Sequence, residues 1–97
     1  MDPDLSDLSI ADIVCSLAGR DQGKLFYVTG MDETYLWLVN GKDRTIDKPK
    51  KKKRKHAQKV LRSETRVALK IRNGDNVLNS ELRRDLAVIG QEMQVNP

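Results

Sequence analysis

Apolar positions in this chain come in short bursts separated by turn-forming residues, and their spacing changes once. Ile10, Val14 and Leu17 belong to a strand-like segment that ends at Ala18-Gly19 and the polar turn Arg20-Asp21-Gln22-Gly23. Leu25-Phe26-Tyr27-Val28-Thr29 is aromatic and β-branched, and stops at Gly30-Met31-Asp32. Tyr35-Leu36-Trp37-Leu38-Val39 is the strongest strand pattern. Tyr35, Trp37 and Val39 share one face, with Leu36 and Leu38 on the other. Asn40-Gly41 signals a type I′ hairpin with both central residues at positive φ, so a strand through Arg44-Thr45-Ile46 is expected to pair back. Pro49 ends it, the following basic residues form an exposed connection, and His56 to Leu61 returns as a last strand. Short strands with turn signals every ten or so residues predict a small β-barrel.

Beyond residue 61 the spacing shifts toward the helical period. Val67, Leu69 and Ile71 alternate as in a strand, whereas Ser63 as N-cap, Glu64 in a first turn and Asn73-Gly74 as a stop describe a helix; helix is the expectation. Asn79 or Ser80 then caps a helix whose Leu78, Leu82, Leu86 and Ile89 line one face and which Gly90 stops. The expected organisation is an acidic flexible tail over 1–9, a barrel over 10–61 that includes a basic loop at 48–56, and a helical C-terminal appendage over 62–97.

Composition narrows the class. A chain of 97 residues with 38% hydrophobic and 33% charged side chains suits one small domain with a modest core and a large solvated or ligand-facing surface. Cys15, the single cysteine, has no partner for an internal disulfide and reads as a small buried hydrophobe in a reducing compartment. No apolar run approaches the roughly 20 residues of a membrane span, and the acidic start is unlike a signal peptide, so a cytoplasmic monomer is expected.

Charge changes the picture most. Residues 1–43 carry a net −5, residues 44–72 a net +11 and residues 73–97 a net −2. At the centre stand Lys50, Lys51, Lys52, Lys53, Arg54 and Lys55, followed by His56, with no acid among them. Unpaired cations are not buried cheaply, so the run is expected in water or against a polyanion. A solvated loop, a nuclear-import signal beginning at Pro49, and an RNA-backbone clamp are the three readings, with RNA preferred. Arg20 and Lys24 flank a turn whose Gly19 and Gly23 leave little bulk between backbone and phosphates, and Lys42 and Arg44 are expected on one sheet face beside them. Trp37 and Phe26 read as core, and Tyr27 or Tyr35 as an exposed ring for base stacking. One histidine and one cysteine do not make a metal site, and no nucleophile stands with a base, so neither cofactor nor catalysis is expected.

The segment 11–28, a strand, then Gly19-Arg20-Asp21-Gln22-Gly23-Lys24, then a strand ending at Val28, resembles a KOW motif. With Trp37-Leu38-Val39-Asn40-Gly41-Lys42-Asp43-Arg44, Lys48-Pro49-Lys50 and Lys55-His56, the chain is similar to small bacterial KOW-domain RNA-binding proteins. Those in turn are similar to archaeal and eukaryotic large-subunit ribosomal proteins of the fourteen-e type. The match covers residues 10–60, and 79–83 more loosely. Ala11 stands where the motif usually has glycine, and Gln22 where it often has lysine. The resemblance implies a mainly β, SH3-like barrel with ribosomal RNA, and large-subunit proteins beside it, as partners. The implied contacts are Gly19, Arg20, Gly23, Lys24, Lys42, Arg44, Lys48, the run 50–55 and His56. A KOW barrel that binds protein, as in transcription factors, is the alternative from another class.

Overall fold

The computed structural model describes residues 8–94, and among these it contains five strands and two α-helices. The strands are β1 (Asp12–Ser16), β2 (Leu25–Met31), β3 (Tyr35–Val39), β4 (Lys50–Lys53) and β5 (Ala57–Arg62). They form one antiparallel sheet in the order β4-β3-β2-β1-β5. The two outermost strands are consecutive in sequence, joined only by a 3₁₀ turn at Arg54–His56. Helices α1 (Arg66–Asn73) and α2 (Asn79–Gln94) follow. No helix among the described residues is long and apolar enough to cross a membrane.

Period-two alternation gives each strand two faces, and both bury apolar side chains. Ile13, Tyr27 and Val39 face the helices and pack with Val67, Ala68, Leu82, Leu86 and Ile89. Val14, Phe26, Val28, Leu36, Leu38 and Ala57 form a second cluster on the opposite face with Leu8, and no helical residue belongs to it. Leu8 is buried and Ser9 donates from its backbone N–H to the Asp12 carboxylate at 2.8 Å, so the end of the expected tail is docked. Its residues 1–7 lie outside the described residues.

Several sequence expectations are corrected. The basic stretch 48–56 is not one loop: Lys50–Lys53 form β4, paired residue for residue with β3 from Leu38↔Lys50 to Tyr35↔Lys53, and only Lys48 and Pro49 remain in the preceding loop. The expected strand at 44–46 is irregular chain, so β3 finds its partner one segment later. Asn40 and Gly41 form no type I′ turn, because Gly41 has φ 78° while Ala11 is the sole non-glycine residue at positive φ among those described. Asn40 instead folds the loop with its side chain, its Oδ1 accepting from the N–H groups of Lys42 and Arg44 at 3.0 Å each. Helix α1 is capped by Thr65 rather than Ser63, whose hydroxyl is engaged with the Tyr27 phenol at 2.8 Å. Helix α2 runs through Gly90 to Gln94, and Leu78, expected on its buried face, is 64% exposed.

Of the two tyrosines expected to offer an exposed ring, Tyr27 is fully buried and Tyr35 is half-buried. The Tyr27 phenol donates to Asp85 of α2 and lies within hydrogen-bond reach of Ser63 and Thr65, tying β2 to both helices. Burial, with Asp85 adding to it, pushes the phenol up to about 12. Trp37, expected in the core, is half-buried and belongs to neither cluster. Cys15, expected buried, is half-buried and free.

Candidate nucleic-acid interface

Glycines build the first element of the site. Gly19 and Gly23 lie at φ 84° and 88°, where a side chain is strained, and let the chain reverse between β1 and β2. The Ser16 N–H donates to the Lys24 carbonyl at 3.0 Å and the Gly23 N–H to the Ser16 carbonyl at 2.8 Å, closing the turn. Arg20 and Lys24 project from it into solvent, but Asp21 turns inward.

Asp21 is the electrostatic hub. Its Oδ1 accepts from the Ser16 hydroxyl at 2.6 Å and from Lys52 Nζ at 3.0 Å, and Lys50 Nζ stands 2.7 Å from Oδ2. Burial alone would raise its pKa. Hydrogen bonds from Lys50, Ser16 and Lys52 outweigh that and hold the carboxyl well below the usual carboxylate range. Lys52 also donates to the Ala18 carbonyl at 2.9 Å and is only 8% exposed. The expectation that the whole run stands in water is thus corrected. Alternation along β4 splits it, with Lys50 and Lys52 turned onto Asp21 while Lys51 and Lys53 remain exposed on the other side.

The second element is the loop 40–49, which is fixed by α2. Gly41 is buried against the helix start, where a Cβ would meet the Asn79 carbonyl oxygen at 2.2 Å. Arg83 donates to the Gly41 carbonyl at 2.7 Å, and Asn79 Oδ1 accepts from the Ile46 N–H at 2.9 Å. Lys42 and Arg44 are therefore carried by a docked loop, not by a sheet face. Lys24 Nζ pairs with Asp43 at 2.7 Å and bridges turn to loop; its hydrogen bond lowers the Asp43 pKa.

These elements enclose one polar cleft of about 190 Å³ lined by Arg20, Asp21, Lys24, Phe26, Asp43, Arg44 and Lys50. Four cations from three stretches of chain meet there, against two carboxylates. An adjoining cleft of about 330 Å³ shares Lys24 and Asp43 and adds Lys42 and Arg83. Arg83 was not singled out as a contact, though the loose resemblance at 79–83 includes it.

The remaining expected contacts lie elsewhere. Lys48 is exposed on the loop. Lys53, Arg54 and Lys55 line a separate cleft with Glu33 and Thr34, and Arg54 donates to the Asp32 carbonyl at 2.9 Å. His56 is half-buried, and its carbonyl accepts from the Leu17 N–H at 2.8 Å. Lys51 reaches across the sheet's outer face, its Nζ 4.3 Å from the centre of the Tyr35 ring and 5.8 Å from that of Trp37. Comparison with protein-family models and with curated proteins returns no match for this chain.

Proposed function

We propose that this protein is an RNA-binding module of the KOW type, an SH3-like barrel that grips the RNA backbone, with ribosomal RNA as its target. The observation that carries the reading is the convergence of Arg20, Lys24, Arg44 and Lys50 on one cleft, from a glycine turn, a docked loop and a strand. Clustered cations neutralise phosphates and release counterions, which supplies affinity without base readout. Exposed Lys42 and Lys48 extend the same charge along the loop.

Two features favour the barrel. The outer strands β4 and β5 are joined by a single 3₁₀ turn, and the second apolar cluster is buried with no helix on its face. Ala11, at the motif position usually held by glycine, takes φ 70°, a conformation glycine adopts without strain. The import-signal reading is weaker, because the run is a paired strand with Lys52 buried.

The test is sedimentation of cell extract at low and high salt, combined with RNA titration of the purified protein. Co-migration with the large ribosomal subunit or its precursors, lost as salt rises, is the expected result. In titration the logarithm of affinity falls against log salt with a slope of about −0.7 to −0.9 per phosphate neutralised. Migration at the top of the gradient in both salts, with no RNA affinity in vitro, overturns the proposal in favour of a protein partner.

A further inference from the structure

We infer that the outer face of β3 and β4 is a stacking platform for an unpaired RNA base, formed by Tyr35 and Trp37 and covered at rest by Lys51. The inference rests on the RNA-binding reading and goes beyond its backbone clamp, because it makes single-stranded RNA a preferred ligand.

Tyr35 and Trp37 stand two apart on one strand face, so their rings lie side by side, about 7 Å apart along the strand. The helix-side cluster takes in Val39 of β3 but neither Tyr35 nor Trp37, and both rings are left half-buried and outside either apolar cluster. An aromatic ring kept partly in water forgoes some of the stabilisation that burial would bring. Gly30 is the cross-strand partner of Trp37, and with no side chain of its own it leaves that side of the indole free of a neighbouring side chain.

The covering group suits an anionic ligand. Lys51 is exposed and sits over the Tyr35 ring, with Lys53 beside it on the same face of β4. A cation–π contact at an exposed site is a weak hold. A base sliding onto the ring displaces an ammonium that is then free to meet the phosphate of the same nucleotide. Asp32 and Glu33 at the neighbouring hairpin tip are acidic and oppose a duplex backbone laid flat across the face. A single strand reaching in with one base avoids them. Aromatic platforms flanked by cations bind single strands in this way, with little sequence preference.

Trp37 is the sole tryptophan, so its fluorescence reports this face alone. The experiment titrates the full chain at low salt with a non-self-complementary 12-nucleotide RNA and with the same RNA annealed to its complement, following Trp37 emission and the anisotropy of a labelled RNA. The expected result is saturable quenching by the single strand and little change with the duplex. Tyr35→Leu, which keeps an apolar side chain but no ring, should weaken single-strand binding roughly 5- to 100-fold and leave duplex binding unchanged. Trp37→Phe, which keeps a ring, should retain most single-strand affinity. Unmoved emission, with Tyr35→Leu binding both forms as the parent does, overturns the platform while the backbone clamp survives. Failure of both RNAs to bind overturns the clamp and the platform together.

Discussion

Replacing Asp21 by Asn removes the counter-charge of two lysines at once, and Lys52 is too deeply placed to be rehydrated without moving β4. Breaking such a pair from one side leaves an uncompensated buried cation, so Asp21→Asn should destabilise the protein by about 3 kcal/mol in urea unfolding. The linked pH effect has a definite sign. The Asp21 pKa is lower folded than unfolded, so its stabilisation is complete above the unfolded value of about 4 and disappears as pH falls through the depressed folded value. Unfolding midpoints measured from neutral pH down to strongly acid pH should fall less steeply for Asp21→Asn than for the parent. Gly41 is the other single position with a large expected effect. At φ 78° and with the Asn79 carbonyl 2.2 Å from a built Cβ, Gly41→Ala strains the backbone and pushes the loop off α2. It should cost about 2–3 kcal/mol in the same assay and weaken the proposed RNA binding through the displaced Lys42 and Arg44.

Among the elements, β4 shows how alternation assigns different work to identical side chains. Lys50 and Lys52 lie opposite Leu38 and Leu36 and meet Asp21, whereas Lys51 and Lys53 lie opposite Trp37 and Tyr35 on the exposed face. Glutamate at both Lys51 and Lys53 should leave the unfolding free energy within about 0.5 kcal/mol of the parent, as surface changes usually do, while reducing the salt dependence of the proposed RNA binding. Lys52→Met should do the reverse, leaving that salt dependence unchanged while stability shifts because Asp21 loses a partner. Equal effects of the two changes on the salt slope would show that β4 lies against RNA on neither face or on both. Much of this element could be read early: the run's charge and its limits are plain from residues 50–55. Its strand character was hidden because lysine has low β-propensity, and pairing with β3 overrides that preference.

At the scale of the molecule, the segment beyond residue 62 is less an appendage than one wall of a shared core. Ile13, Tyr27 and Val39 of the sheet are fully buried, together with helical Ala68 and Leu82. A chain ended after Arg62 exposes those three side chains and leaves the Tyr27 phenol without Ser63, Thr65 or Asp85. It should lose cooperative thermal unfolding and near-ultraviolet circular dichroism and bind a hydrophobic dye. A sharp, reversible transition for that shortened chain would show that the sheet is self-sufficient.

Local pattern alone determined four of the five strands, because alternation and turn residues act within a few neighbours: residues 25–29 and 35–39 carry their strands openly, and Gly19 and Gly23 mark the turn from β1 into β2. It pointed to both helices as well, since Asn73-Gly74 ends the first and Leu82, Leu86 and Ile89 line the second, but the alternation of Val67, Leu69 and Ile71 left the first open to a strand reading, and neither the Thr65 cap nor the passage through Gly90 was legible. It also located the cationic block. Only the tertiary structure decided which strand β3 pairs with, which lysines turn inward, why Tyr27 is buried and Trp37 is not, and that Arg83 reaches the loop. The physical reason is separation along the chain. Asp21 meets Lys52 across 31 positions, Tyr27 meets Asp85 across 58 and Gly41 meets Arg83 across 42. Such pairings follow from assembling the sheet and docking the helices, which no local period encodes.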